Sequence, residues 1–179
     1  ICDKNNIILV FDEVQTGNGR SGHYFACGHY GVTPDVITTA KGLGNGFPIG
    51  ACLARGPAAE VLGPGSHGST FGGNPLGCAT ALAVVQQLEA ELPAVADKGE
   101  RLRALLTERL QDCALVREVR GLGLMCAVEL DRPCSEIVAL AREQRLLANV
   151  TADRVIRLLP PLIITETEMT DLADRLAET

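Results

Sequence analysis

Short apolar runs bounded by glycine or polar residues predict the β-strands of this chain. Residues 7–11 and 36–39 form continuous apolar or β-branched runs, which are typical of strands buried on both faces. Residues 49–54 form a third run of this kind. Residues 122–130 alternate between apolar and polar positions, as in a half-buried strand. Residues 155–158 are expected to form one more short strand.

Apolar residues at helical spacing predict four helices. The first covers residues 75–92, with Asn74 as its N-cap and Pro75 at its first position, and we expect it to end near Pro93. The other three are expected around residues 102–110, 137–144 and 169–176. Strands that alternate with helices indicate α/β structure in the first half of the chain and α+β structure in the second.

The two halves differ sharply in composition. Residues 1–90 contain 16 of the 19 glycines and all six aromatic residues, but only 10 of the 38 charged residues. A glycine-rich, charge-poor segment is expected where tight turns, buried strands or a covered interface occur. Because the change falls near Pro93, the sequence predicts two domains, residues 1–90 and residues 91–179.

Composition and charge exclude several classes of protein. The 179 residues are 46% hydrophobic and carry a net charge of -6, which argues against a disordered chain and against a broad basic surface for nucleic acid. No apolar run approaches the ~20 residues of a membrane span. The N-terminus does not resemble a secretory signal. Because the chain starts at Ile1 without a methionine, we interpret it as a piece of a longer protein.

The cysteines and histidines do not form a metal-binding pattern. The seven cysteines are at least eight residues apart, so no pair has the spacing of a zinc site. We expect most of them to be reduced, small core residues of a cytoplasmic protein. The three histidines follow no repeated ligand spacing, and no metal is predicted.

The first segment with candidate chemistry is FDEVQTGNGRSG, residues 11–22, which places Asp12 at the end of a predicted buried strand. Ligands of open α/β sheets bind outside the carboxyl ends of the strands. A buried carboxylate needs a cation or several donors as partners. A protonated ring nitrogen of a ligand would meet that need, and the alternative is a set of amides in the following loop.

The second segment is VITTAKGLGNGFPIG, residues 36–50, and it contains the only lysine between residues 5 and 97. Lys41 directly follows a predicted buried strand, where partial desolvation would lower its pKa and make the amine a nucleophile towards aldehydes. The glycines after it would leave room for a planar ligand. The alternative is a lysine whose amine simply reaches the solvent.

The third segment is GSHGSTFGGNPLG, residues 65–77, where Ser69 and Thr70 precede a glycine pair and a helix start. Hydroxyl groups and free backbone amides at such a place favour phosphate, although helix capping beside a glycine hinge is the alternative. The three segments together offer an amine, a carboxylate and hydroxyls beside glycines. Pyridoxal phosphate needs partners of these kinds for its aldehyde, its ring nitrogen and its phosphate.

Four motifs, in order and in register, closely resemble those of the class III pyridoxal-phosphate aminotransferases, and within that class the acetylornithine branch. They are FDEVQTGNGRSG, GVTPDVITTAKGLGNGFPIGACLA, GSHGSTFGGNPLGCATALAV and RVIRLLPPLIIT. The resemblance implies the C-terminal part of a fold-type-I transferase: a mostly parallel large-domain sheet in residues 1–90 and a small α+β domain in residues 91–179.

The resemblance also implies roles for residues around the cofactor. Lys41 corresponds to the lysine that links to the cofactor aldehyde and moves the substrate proton, and Asp12 to the aspartate that keeps the pyridine nitrogen protonated. Val14 corresponds to a residue packed on the ring face, and Gln15 to one near the phenolic oxygen. Glu13 belongs to the same cofactor-binding stretch, but no specific contact is assigned to it.

Three further residues are implied to contact substrate or phosphate. Thr70 resembles a residue that reaches the cofactor phosphate of the partner subunit, and Ser69 resembles a substrate contact. Arg157 resembles an arginine that pairs with a substrate carboxylate, a role that suits the guanidinium group. The alternative for Arg157 is an exposed arginine on an edge strand.

The implied activity is transfer of an amino group from N-acetylornithine, or a related ω-amino compound, to 2-oxoglutarate in arginine biosynthesis. Ornithine, succinylornithine and 4-aminobutyrate are alternative donors, and an inactive, truncated dimerisation module is an alternative of another class. The resemblance covers a little under half of a family member and does not include the family's phosphate loop, stacking aromatic ring and second substrate arginine. Because these elements are missing, we expect the isolated fragment to be inactive. The charge-poor first half and the implied role of Thr70 predict a homodimer with shared active sites, and no nucleic-acid or membrane partner is expected.

Overall fold

A computed structural model describes the whole chain, Ile1–Thr179, as two compact units. The first unit is Ile1–Leu92 and the second is Pro93–Thr179. Along the chain the helices are α1 (Cys2–Asn5), α2 (Pro57–Glu60), α3 (Pro75–Arg109), α4 (Ile137–Glu143) and α5 (Glu166–Ala177). The strands are β1 (Val10–Asp12), β2 (Val36–Thr39), β3 (Ala51–Ala54), β4 (Val116–Leu122), β5 (Met125–Leu130), β6 (Asn149–Thr151) and β7 (Val155–Leu158).

The first unit is built on a three-stranded sheet in the order β1-β2-β3. β1 and β2 are parallel, with Asp12 opposite Thr38, whereas β2 and β3 are antiparallel. The predicted mostly parallel sheet is therefore not what this part of the chain forms, since one of its two strand pairings is antiparallel. The parallel pair brings the carboxyl ends of β1 and β2 to the same edge of the sheet.

Two of the three predicted strands of this unit are shorter and more exposed than expected. β1 begins at Val10, whose side chain is 54% exposed, and all four residues of β3 are exposed. The expectation that these strands are buried on both faces is wrong for the chain as described. An apolar run identifies a strand, but its burial depends on what packs against the sheet, and a local pattern does not contain that information.

A single helix, α3, replaces the two helices predicted on either side of Pro93. Its start was predicted correctly, because Oδ1 of Asn74 accepts a hydrogen bond from the amide of Gly77 at 2.8 Å and Pro75 is the first helical residue. A proline inside a helix costs about 3 kcal/mol, yet the helix continues through it. Buried side chains such as Leu88 and Val95 on either side of Pro93 stabilise the continuous helix.

The second unit contains a four-stranded antiparallel sheet in the order β4-β5-β7-β6. The predicted strand at residues 122–130 is the end of β4, a turn through Gly123 and then β5, in which alternate residues are buried. Gly123 has a φ of 54°, which favours glycine. A Cβ on Gly99 of α3 would lie 2.0 Å from the Gly123 carbonyl oxygen, so glycine is required for this close approach.

The hydrophobic core of the second unit is made by the inner face of this sheet together with residues of α3 and α5. α5 begins with a capping box, in which the side chains and backbone amides of Thr165 and Glu168 bond reciprocally. The fully buried members of the core with large side chains are Val95, Leu102, Leu106, Leu124, Val128 and Met169. This cluster fixes the sheet on which Arg157 lies.

The prediction that most cysteines are core residues is only partly correct. None of the seven forms a disulfide bond. Cys27, Cys126 and Cys134 are buried, whereas the other four are exposed or partly exposed. No helix of the structure is both long enough and apolar enough to cross a membrane.

Candidate active site

The carboxyl ends of β1 and β2 bring the predicted carboxylate and the predicted amine to one edge of the sheet. Asp12 is the last residue of β1 and lies opposite Thr38 of the parallel strand β2. Lys41 is separated from the end of β2 by one residue, Ala40. Neighbouring parallel strands deliver the residues that follow them to a common edge, which is where open sheets bind ligands.

Asp12 is held through one of its two carboxylate oxygens. Oδ1 accepts hydrogen bonds from the hydroxyl of Thr38 at 2.9 Å and from the backbone amide of Val14 at 3.2 Å. Oδ2 receives no hydrogen bond, and the residue is exposed. The expectation that Asp12 is buried is therefore wrong for this chain, because nothing in the first unit covers the end of β1. Its free oxygen can accept a proton-bearing partner.

Glu13, to which the sequence assigned no contact, is the buried carboxylate of this region. It is 2% exposed and accepts hydrogen bonds from the Thr16 hydroxyl, from the amide of Ala26 at 3.0 Å and from the amide of Cys27 at 2.8 Å. These donors compensate for the removal of its charge from water. Glu13 therefore ties the turn after β1 to the segment around residue 26. Burial, with a smaller contribution from the Glu13 charge, raises the pKa of the Cys27 thiol.

Lys41 has an unusual backbone conformation for a lysine. Its φ is 47°, in the left-handed region, which costs about 1–2 kcal/mol for a residue with a Cβ. It begins a single turn of 3₁₀ helix and lines an open depression of about 440 Å³ together with Gly46, Phe47, Pro48 and Ile49. Strained backbone of this kind occurs preferentially at functional sites.

The predicted desolvation of Lys41 is not found in this chain. The residue is exposed, and the depression that it lines is open to solvent. The amine is therefore open to a ligand from the solvent side. The alternative of a lysine that reaches the solvent is compatible with its exposure, but it does not account for the left-handed backbone.

Asn18 is a contact of this site that was not identified from the sequence. Its amide nitrogen Nδ2 donates to Oγ1 of Thr39 at 2.9 Å and to the carbonyl oxygen of Ala40 at 3.1 Å. Asn18 is buried, and its backbone φ is 55°. The sequence does offer one indication of a special turn here: an asparagine, which tolerates the left-handed region, lies between two glycines. It does not show which backbone segment that asparagine contacts.

Val14 and Gln15 follow Asp12 in the turn and are half-buried. Ser69 and Thr70 lie in the loop before α3, and both are exposed. Oγ of Ser69 accepts a hydrogen bond from the amide of Gly72 at 2.9 Å, so this hydroxyl has a local capping contact. Which of these side chains meet a ligand remains a prediction.

The loop before α3 leads to the wall of the Lys41 depression. A Cβ on Gly77, in the first turn of α3, would lie 3.2 Å from the ring of Phe47. Phe47 in turn lines the depression. The first turn of α3 therefore packs against the side chain beside Lys41, and glycine at position 77 allows this approach.

Arg157 belongs to the second unit, on β7. β7 lies between β5 and β6, and Arg157 is half-buried, opposite Ala127 on one side and Asn149 on the other. The alternative of an exposed edge-strand arginine is therefore wrong. Its Nε is buried without a hydrogen-bond partner, so this guanidinium has capacity for an acceptor.

Residues 1–179 match the family described as aminotransferase class-III along their whole length. The chain belongs to the class-III aminotransferase family. It is 51% identical over 179 residues to the acetylornithine aminotransferase of Corynebacterium efficiens, covering 99% of this chain and 44% of that protein. It is 47% identical over 176 residues to that of Methanothermobacter thermautotrophicus, covering 97% of this chain and 45% of that protein.

Solved structures of aminotransferases have the same fold. The ornithine δ-aminotransferase of Plasmodium falciparum matches with a TM-score of 0.92 and 40% identity, covering 98% of this chain and 46% of that one. The acetylornithine aminotransferase of Elizabethkingia anophelis matches with a TM-score of 0.89 and 39% identity, covering 98% and 48%. This class-III chain thus spans less than half the length of the relatives it matches.

The residues present in this class-III chain fit pyridoxal phosphate, the cofactor that the family implies. Lys41 offers an exposed amine beside an open depression. Asp12 offers an oxygen without a hydrogen bond at the same sheet edge. An amine for an aldehyde and a carboxylate for a ring nitrogen are the protein groups that this cofactor needs.

Proposed function

We propose that the full-length protein containing this chain is a pyridoxal-phosphate-dependent aminotransferase. One observation carries the proposal: Lys41, in a strained left-handed conformation, and Asp12, with one free carboxylate oxygen, follow neighbouring parallel strands to one sheet edge. The match to the class-III family along the whole chain supports it. When bound, the cofactor supplies an electron sink for the substrate carbon that loses its proton.

In this proposal Lys41 has two tasks. With the cofactor bound, its amine would hold the cofactor through the aldehyde carbon. The same amine would also act as a general base and acid, taking a proton from the substrate carbon that bears the amino group and returning it at a neighbouring position. The depression beside Lys41 gives the amine room to move between these positions.

Asp12 would keep the ring nitrogen of the bound cofactor protonated. The hydroxyl of Thr38 and the amide of Val14 fix Oδ1, which leaves Oδ2 available to a ligand. A negative charge at this position keeps the ring nitrogen protonated, because an opposite charge nearby favours the charged form. Two donors on one oxygen also orient the carboxylate before the ligand arrives.

The other predicted residues complete the site. Val14 would pack on the ring face, Gln15 would lie near its phenolic oxygen, and Thr70 would contact the phosphate held by a partner subunit. Ser69 and Arg157 would contact substrate. The buried, unpartnered Nε of Arg157 supports a carboxylate ligand for that side chain, which would suit an amino-acid donor and 2-oxoglutarate.

N-acetylornithine is the amino donor that we propose, with 2-oxoglutarate as the acceptor, in arginine biosynthesis. The acetylornithine aminotransferases of Corynebacterium efficiens and Methanothermobacter thermautotrophicus, at 51% and 47% identity, support this choice. The test compares N-acetylornithine with succinylornithine, ornithine and 4-aminobutyrate at equal concentrations, and kcat/KM decides among them. A higher kcat/KM for any other donor would contradict the proposed substrate while leaving the aminotransferase class intact.

Ornithine is the second candidate donor. The fold match to the ornithine δ-aminotransferase of Plasmodium falciparum, with a TM-score of 0.92, supports it. A preference for ornithine would mean that the donor carries a free α-amino group, whereas the α-amino group of N-acetylornithine is acetylated. The same donor comparison separates the two candidates.

The covalent role of Lys41 is tested by reduction with borohydride and peptide mass spectrometry of the full-length protein. We expect a cofactor-derived mass on Lys41 and none on Lys4, the exposed lysine of α1. The Lys4→Ala variant is the matched control and should keep the visible absorbance and turnover, whereas Lys41→Ala should lose both. A label on any other lysine would refute the assignment.

For assembly and location we propose a cytoplasmic homodimer with shared active sites and no nucleic-acid or membrane partner. The charge-poor first half and its exposed apolar side chains, such as Leu62 and Phe71, support an interface there. Under this proposal the present chain alone is inactive. If the full-length protein binds no cofactor but still dimerises, the alternative of an inactive dimerisation module is correct.

A further inference from the structure

The side chain of Asn18 contacts the backbone on both sides of Lys41. Before the lysine, Nδ2 donates to the side chain of Thr39 and to the carbonyl oxygen of Ala40. After it, Gly42 approaches so closely that an added Cβ would lie 3.2 Å from the Cβ of Asn18. The asparagine therefore contacts three of the four residues from 39 to 42, and Lys41 is the fourth.

The chemistry of these contacts requires an amide at position 18. A carbonyl oxygen such as that of Ala40 can only accept a hydrogen bond, so the NH₂ group of Asn18 must face it. The other end of the amide, Oδ1, is buried and has no hydrogen-bond partner. A buried acceptor without a donor is costly, so stability alone does not explain the presence of this side chain.

The turn that Asn18 contacts is strained. Lys41 has a φ of 47°, a conformation that a lysine keeps only when its surroundings impose it. The hydrogen bond to the Ala40 carbonyl fixes the backbone immediately before this residue, and the bond to the Thr39 hydroxyl holds the side chain of the residue before that. The close packing on Gly42 fixes the backbone after Lys41. Together they define the direction in which the Lys41 side chain leaves the main chain.

We propose that Asn18 is a positioning residue for Lys41, holding the turn at residues 39–42 so that the amine is directed at the aldehyde carbon of the cofactor. This inference rests on the proposed function of Lys41. It predicts that loss of the amide slows covalent capture of the cofactor without weakening contacts made by its ring and phosphate.

Two substitutions separate the hydrogen bonds from the backbone conformation. Asn18→Asp keeps the shape and the tolerance for a positive φ, but it replaces the donor by a negative oxygen that faces two oxygens. Asn18→Gly keeps the positive φ and removes the side chain. Asn6→Gly is the matched control, because Asn6 is a left-handed asparagine (φ 54°) that is exposed and lies in another loop.

The experiment uses the full-length apoprotein and two probes. Pyridoxal phosphate reports covalent capture, as the rate at which borohydride-trapped label appears on Lys41. Pyridoxine phosphate has the same ring and phosphate but no aldehyde, so its Kd reports non-covalent binding. For Asn18→Asp and Asn18→Gly we expect capture to slow about 10- to 100-fold, the scale of a small misplacement of reacting groups, with the Kd for pyridoxine phosphate within about threefold of wild type.

Thr39→Val provides a second test if a variant at position 18 fails to fold, because it removes one acceptor of the amide. It should also slow capture, and its effect should not add to that of Asn18→Gly, since the two residues share a hydrogen bond. Unchanged capture in the folded variants would overturn the proposal. Equal losses in capture and in pyridoxine phosphate binding, with a lower Tm, would also overturn it, because they indicate a general structural role. Failure of the wild type to label Lys41 would instead refute the proposed function.

Discussion

Replacing Glu13 by glutamine should destabilise the first unit, although the two side chains have nearly the same shape. The carboxylate accepts hydrogen bonds on both oxygens, from Thr16 and Ala26 on Oε2 and from Cys27 on Oε1. A glutamine has only one acceptor oxygen, and its NH₂ group must then face at least one N–H group. Whichever way the amide is turned, a backbone N–H near the core loses its acceptor.

The magnitude follows from those contacts. A buried donor left without a partner costs about 1–3 kcal/mol. The remaining hydrogen bonds also weaken, because charge-assisted bonds are roughly twice as strong as neutral ones. We therefore expect Glu13→Gln to lower the free energy of unfolding by about 2–4 kcal/mol. Glu60→Gln is the matched control: Glu60 is exposed on α2, and a surface change of this kind should stay within about 0.5 kcal/mol.

Thiol labelling gives a local readout of the same change. Burial and then the Glu13 charge raise the pKa of Cys27, whereas burial and then Glu136 raise the pKa of Cys134 in the other unit. In Glu13→Gln, alkylation of Cys27 in the full-length protein should accelerate relative to Cys134, because the charge is gone and the surrounding turn opens more often.

Urea unfolding and alkylation followed by peptide mass spectrometry measure the two effects on one sample. Equal unfolding free energies for Glu13→Gln and Glu60→Gln would refute the stabilising role of the buried carboxylate. An unchanged ratio of Cys27 to Cys134 labelling, despite lower stability, would show that the loss lies elsewhere in the protein.

Three further predictions concern the cofactor, the assembly and the second unit. Asp12→Asn should reduce kcat by at least about 100-fold (~2.7 kcal/mol), because a neutral amide does not hold the ring proton; turnover near wild type would exclude that role. Mixing Lys41→Ala with Thr70→Ala subunits should restore up to about half the native activity per dimer, because one site of each heterodimer keeps both residues; only the average of the two mutants, after verified subunit exchange, would place Thr70 in the site of its own chain. Hydrogen bonds from Thr165 lower the pKa of Glu168 below its ordinary value of 4.5, so its contribution to stability is present above that pH and is lost as the pH falls through the lowered pKa; acid unfolding of Glu168→Gln should lack this part of the pH dependence, and an identical acid profile would contradict it.

The sequence alone was sufficient for features that depend on local chemistry. Residues 36–39 and 155–158 were predicted as strands and are β2 and β7. The start of α3 followed from an asparagine before a proline, since a side-chain acceptor and a residue without an N–H satisfy a helix N-terminus locally. The class-III family was also identified from motif order, and the match along residues 1–179 confirms it.

Features that depend on packing between distant segments were decided by the tertiary structure. Pro93 lies inside a continuous helix because side chains on neighbouring turns, such as Leu88 and Val95, are buried, and a proline pattern does not report that burial. In the candidate site, the sequence favoured Asp12 as the buried acid, whereas Glu13 is buried because amides of residues 26 and 27 fold back onto it. Asn18 contacts the backbone before Lys41 from a loop more than 20 residues earlier. Hydrogen bonds between segments that far apart form only once the chain has folded, so no local pattern of residues encodes them.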